Sequence, residues 1–169
     1  MALGSVEGTM RVQIDIAASK AYGARDIESG FNFNLSKTHQ LVAASCDALF
    51  HVDGSLADAA NTEIDLQTVV GPDGVAINLT KIMALFIANT TVAGATKGKL
   101  IVGGAGANAW EGIFGAAGDK LLVQPNTSIC FPFPEGLTVD GTHKMLKLEH
   151  DGTGTEALTY EVAVVGEMT

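Results

Sequence analysis

The sequence is poor in the residues that nucleic-acid and anionic-membrane binding demand. Ten of its 169 residues are Lys or Arg, against nineteen Asp and Glu, for a formal net charge of −9. The ten are scattered, with no run of them anywhere. Counterion release from a phosphate backbone needs clustered cations, so neither nucleic acid nor an anionic membrane is an expected partner. No apolar run approaches the roughly 20 residues of a membrane-spanning helix. No charged start leads into an apolar stretch, so no signal peptide is expected. Cysteine is scarce: Cys46 and Cys130 lie far apart, each in an apolar run. They read as two buried thiols rather than a disulfide. Aromatics make up 6%, with two Tyr and one Trp, which leaves little for a sugar-stacking cleft.

Catalytic and metal signatures are missing as well. Gly-x-Ser-x-Gly does not occur, and a thiolate is disfavoured in the apolar runs that hold the cysteines. His39, His51, His143 and His150 form no His-x-x-x-His pair, and no Cys-x-x-Cys accompanies them. His143 and His150 flank one expected strand and, seven residues apart, point to opposite faces. His51 alternates with Phe50 and Val52 and belongs on the less buried face of its strand. Asp47, Asp53 and Asp58 gather with His51 around Val52-Asp53-Gly54-Ser55. Without an Asp-x-Asp-x-Asp-Gly loop they read as an ordinary acidic turn rather than a calcium site. A hydrolase would need two close carboxylates in a cleft, and no motif points to such a pair. Sequons at Asn78, Asn89 and Asn126 read as chance. No catalytic, cofactor-binding or metal-binding residue is assigned, and no enzyme is expected.

What is present is short alternation. Val12, Ile14 and Ile16 alternate with polar residues, as do Phe31, Phe33 and Leu35, then Ile64 and Leu66, then Leu158, Tyr160, Val162 and Val164. Period two means one buried face and one wet face, as in an antiparallel sheet. Ile82 to Ala88 and Leu121 to Val123 are apolar on both faces and read as central strands. Gly71-Pro72-Asp73-Gly74, Gln124-Pro125-Asn126-Thr127 and Asp151-Gly152-Thr153-Gly154 are turns, through fixed φ at Pro and positive φ at Gly or Asn. Asp140-Gly141 predicts a two-residue hairpin joining Leu137–Asp140 to His143–His150. Ala17 to Ile27 is the expected short helical or irregular piece. Residues 1–10 read as an N-terminal arm and 11–169 as a single β domain, looser over 11–30. The strand count is roughly ten to twelve, at the spacing of sandwiches and barrels.

The stretch Lys99 to Gly115, KLIVGGAGANAWEGIFG, has the glycine spacing of a dinucleotide fingerprint at Gly104, Gly106 and Ala109. That fingerprint needs a helix after the glycines. Here Gly112, Gly115 and Gly118 follow, each costing a helix about 1 kcal/mol against Ala. The loop therefore reads as an ordered connection pinned by Trp110, Ile113 and Phe114. These three are the candidate interface residues if they face a neighbour rather than the core.

The order of these runs resembles a known group. It comprises Ile64-Asp65-Leu66-Gln67, the Gly-Pro-Asp-Gly turn, Lys81 to Thr90, and Leu100 to Gly104 with Asn108-Ala109-Trp110 and Phe114-Gly115. Pro125-Asn126 and Tyr160 to Gly166 complete it. The pattern is similar to that of tailed-bacteriophage virion proteins of the capsid decoration or cement type. The resemblance, which runs from Ile64 to Gly166, implies an all-β, jelly-roll-like antiparallel β-sandwich, to which the N-terminal arm read from residues 1–10 is added. It also implies a homotrimer on the capsid exterior, made in the host cytoplasm, that binds and ties together major capsid protein subunits. The alternative is a carbohydrate-binding β-sandwich of a phage tail or fibre, for which Trp110, Asn108 and Asp119 are the grouping to test.

Overall fold

The computed structural model describes residues 8–21, 28–41, 46–72, 74–92, 94 and 97–169. Twelve strands form in these residues, with no helix among them. They are β1 (Gly8–Ala21), β2 (Glu28–Leu41), β3 (Ala48–Leu56), β4 (Asn61–Asp65), β5 (Val69–Val70), β6 (Ala76–Ile77), β7 (Leu79–Asn89), β8 (Leu100–Gly103), β9 (Lys120–Val123), β10 (Thr127–Thr138), β11 (Met145–His150) and β12 (Leu158–Met168).

Eight of the strands make two four-stranded sheets, ordered β10-β7-β12-β3 and β4-β11-β8-β9, and every pairing is antiparallel. Walking the chain from β3 to β12, omitting the small β5–β6 ribbon, the strands alternate between the sheets except at β8 and β9, which are neighbours in one sheet; this is the order of a jelly roll. Inward positions follow period two. Leu158, Tyr160, Val162 and Val164 of β12 are buried, and Leu146, Leu148 and His150 of β11 face them from the other sheet. Leu79, Ile82, Leu85 and Ile87 of β7 and Leu100 and Val102 of β8 complete the layer between. Each such side chain, fully buried, stabilises the fold by about 1.5–3 kcal/mol.

The apolar run Ile82–Ala88 lies in β7, a central strand paired on both sides, as its composition predicts. The run Leu121–Val123 does not. It lies in β9, the edge of its sheet, paired to β8 alone, and Leu122 is 46% exposed. At three residues the run is too short for its composition to distinguish an edge from a centre. The Asp140-Gly141 turn forms, with the Asp140 N–H donating to the His143 carbonyl at 3.3 Å. The strands it joins, however, belong to different sheets. It is a crossing of the sandwich and not the hairpin expected from the dipeptide. The other turns hold: Asn126 takes φ 54°, Gly152 φ 69° and Gly74 φ 79°, while Asp73 lies outside the described residues.

β1 and β2 form a separate two-stranded sheet. Their register pairs Gly8 with Leu41 at one end and Ala21 with Glu28 at the other. Ala17–Ala21 are strand, against the expected helical or irregular piece, because Glu28–Asn32 run opposite and complete their ladder. Residues 22–27 of that piece, and 1–7 of the expected arm, lie outside the described residues. Gly8–Met10 already belong to β1.

Candidate functional site

The glycine-rich connection runs from Gly104 to Asp119, between β8 and β9. Its backbone is tied to the start of β11. The Trp110 N–H donates to the Met145 carbonyl at 2.9 Å, and the Asn108 carbonyl accepts the N–H groups of Lys144 and Met145 at 2.9 and 2.8 Å. Asn108 itself sits at φ 50°, a conformation Asn tolerates better than most residues. Turns at Glu111–Phe114 and Ala116–Asp119 close the rest of the loop. No helix follows the glycines, so the pyrophosphate cradle of a dinucleotide site is not built here.

The glycines serve packing. Gly103, at φ +100°, lets Phe114 and the Asp119 carbonyl approach. A Cβ there would stand 2.7 Å from that oxygen and 2.9 Å from the ring. Gly112 lies against the indole of Trp110.

Trp110 is 2% exposed and belongs to the core, with its indole N–H donating to the Thr138 carbonyl at 3.1 Å. The side chain is therefore inside the sandwich of its own chain. It offers no open face for stacking a sugar, although Asn108 and Asp119 are exposed. Ile113 and Phe114 are half-buried and pack against the core from outside. With Asp119, Lys120, Leu121 and Phe131 they line a surface concavity of about 380 Å³. Phe131 stacks on Phe133 there, ring centroids 6.3 Å apart and planes 7° apart. The three candidate interface residues thus divide: one fills the core, and two reach the surface.

Other groups singled out by the sequence disperse. His51 is exposed and pairs with Glu161 at 2.8 Å. The Asp47 carboxylate accepts the Met168 N–H at 2.8 Å, and Asp58 lies 3.4 Å from His150. Among the described residues, no three His, Cys, Asp or Glu side chains gather as metal ligands. Cys46 is buried, Cys130 is half-buried with its thiol pKa raised by burial, and neither forms a disulfide. Burial, aided by the nearby Asp53 charge, also raises the Tyr160 phenol.

Two buried polar side chains escaped the sequence reading as structural pins. Asn89, at the end of β7, is fully buried. Its amide donates to the carbonyls of Gly98 and Val123 at 3.2 Å each and accepts the Thr91 N–H at 3.2 Å. It thereby ties the two sheets together, and its sequon is closed to modification in the folded chain. His150 is 1% exposed. Its Nδ1 accepts the Gly152 N–H at 3.0 Å, which leaves Nε2–H to donate to the Glu156 carbonyl at 3.1 Å. Those bonds define one neutral tautomer. The signal for His150 was its phase: it continues the inward series Leu146, Leu148.

Compared with known protein families, curated proteins and solved structures, the chain matches none. Its class rests on its own strand order, that of a jelly-roll β-sandwich with an added hairpin.

Proposed function

We propose that the chain is a structural virion protein that decorates a bacteriophage capsid and stabilises it by binding major capsid protein subunits from outside, as a homotrimer. The observation that carries this reading is the pair of 14-residue strands β1 and β2, which form a two-stranded sheet separate from the two sheets of the sandwich. A two-stranded ribbon is marginal alone, so it suits a protein that completes its structure on neighbours. The jelly roll supports the same reading, being an architecture shared by capsid and lectin domains. The net charge of −9 adds to it, since an acidic exterior protein avoids non-specific contact with nucleic acid. The reading assigns no catalytic step. The carbohydrate-binding alternative loses its stacking platform with Trp110 inside the core.

The test is binding to shells assembled from the major capsid protein. The purified chain is expected to co-sediment with them to a saturating stoichiometry and to raise their melting temperature. Failure to sediment with the shells at any concentration would remove the capsid role.

A further inference from the structure

We infer that the outer face of the β10-β7-β12-β3 sheet is an interaction surface and that its occupant is the β1–β2 ribbon of the same chain. The registers lay out that face row by row. Pro132, Ala84, Val165 and Leu49 stand side by side across the four strands, and Cys130, Phe86, Ala163 and His51 make the next outward row. The row between them, Phe131, Leu85, Val164 and Phe50, packs into the core. Apart from His51 none of the eight outward residues is exposed, and Ala84 is only 7% exposed. Ion pairs rim the patch at both ends: His51 with Glu161, and Lys81 with Glu167. An antiparallel sheet with one wet face alternates apolar with polar, whereas strands apolar on both faces are covered on both. The second sheet shows the wet pattern. Its outer face holds Glu63, Lys147, Glu149 and Lys120, with Glu149 paired to both lysines.

The path of the chain names the cover. Six residues separate Leu41, the end of β2, from Ala48, the start of β3. They span at most about 25 Å, so the ribbon is tethered to β3, one edge of this sheet. β2 also approaches β10, which is the opposite edge. The two edges lie about 15 Å apart, at about 4.8 Å per strand. The second sheet fills the inner face, so the route from one edge to the other runs over the outer face. Extending the sheet past β10 is the other way to place a ribbon there. Pro132 and Pro134 oppose it by removing two N–H donors from that edge strand. Settling on the second sheet would strip water from its charged rows. On the first sheet the ribbon becomes a third layer, and the side it turns outward is the one a neighbouring chain meets.

The inference goes beyond the capsid reading and is tested without a shell. The test uses the full chain in three forms: wild type, Val165→Lys on the outer face of the first sheet, and Ile101→Lys on that of the second. Amide exchange in β1 and β2 reports the ribbon, alkylation of Cys130 reports the face beneath it, and Trp110 emission reports the sandwich. In the wild type both rates should be slow and independent of protein concentration. Val165→Lys should speed both by about tenfold with Trp110 emission unchanged, and Ile101→Lys should leave both at wild-type values. Wild-type rates in Val165→Lys overturn the inference. Protection in the wild type that fades on dilution places the ribbon on a second copy and overturns it too. Should Val165→Lys fail to fold, hydroxyl-radical oxidation of the wild type decides, by comparing two leucines of equal intrinsic reactivity. Leu49, on the covered face, should react several-fold more slowly than Leu122, on the edge strand of the other sheet, and equal rates overturn the inference.

Discussion

The indole of Trp110 lies so close to the backbone of Gly112 that a Cβ at position 112 would stand 2.1 Å from its ring. Trp110 is held in place on the other side by its hydrogen bond to the Thr138 carbonyl, and it cannot swing away without losing that bond. Gly112→Ala should therefore destabilise the protein by about 1–3 kcal/mol through overpacking. Trp110→Ala should cost about 3–5 kcal/mol through the cavity it leaves. Urea unfolding of both variants measures this. A Gly112→Ala protein as stable as wild type would show that the loop shifts freely and is not pinned.

His150 gives the second prediction. Replacing it with Leu keeps the volume roughly constant but removes its hydrogen bonds with the Gly152 N–H and the Glu156 carbonyl. Losing such buried bonds costs about 1–3 kcal/mol, so His150→Leu should lose about that much in the same unfolding measurement. Gly98→Ala should also be harmful, because a Cβ there would stand 2.1 Å from the imidazole. A stable His150→Leu protein would mean that water replaces both bonds.

Acid sensitivity should come from three carboxylates. The Thr142 hydroxyl and N–H, with His143, hold Asp140 at about 2 against an ordinary 3.8. Lys147 lowers Glu149, outweighing its burial. Burial alone would raise Asp151, but hydrogen bonds from Thr153 and from the Lys99 N–H prevail and lower it. A carboxylate whose folded pKa is depressed stabilises the fold fully above its ordinary value, and that stability is lost as pH falls through the folded one. The melting temperature should thus hold down to about pH 5 and decline from about pH 4.5 toward pH 2. Asp140→Asn should make the lowest part of that decline shallower. A melting temperature constant to pH 2 would contradict the assignment.

Much of the sandwich is legible in the sequence because alternation reports one-sided burial directly. Leu158, Tyr160, Val162 and Val164 read as one face and pack as one face. Ile82–Ala88 reads as a covered strand because its composition is apolar on both faces over enough residues to matter. Leu121–Val123 fails the same test, since strand order across a sheet is a non-local property that three apolar residues do not encode. Asp140-Gly141 marks a reversal of the chain but not which sheet receives it. In the glycine-rich loop, the motif was legible as non-nucleotide from the missing helix. That Trp110 turns inward while Ile113 and Phe114 remain at the surface depends on where Gly112 and Thr138 stand in space. Asn89 and His150 are pins because of backbone groups contributed by distant segments, which no local pattern announces.

The pairing of β3 with β12 has a consequence for biosynthesis. Leu56 stands in register opposite Leu158, about 100 residues later in the chain. At about 5–20 residues per second, a ribosome needs several seconds to deliver β12 after β3 has emerged. The local β1–β2 ribbon can close within microseconds of leaving the exit tunnel. During that interval the ribbon is formed while the sandwich of the same chain does not yet exist. Nascent chains on one message, held close together by neighbouring ribosomes, are then the first surfaces it can meet.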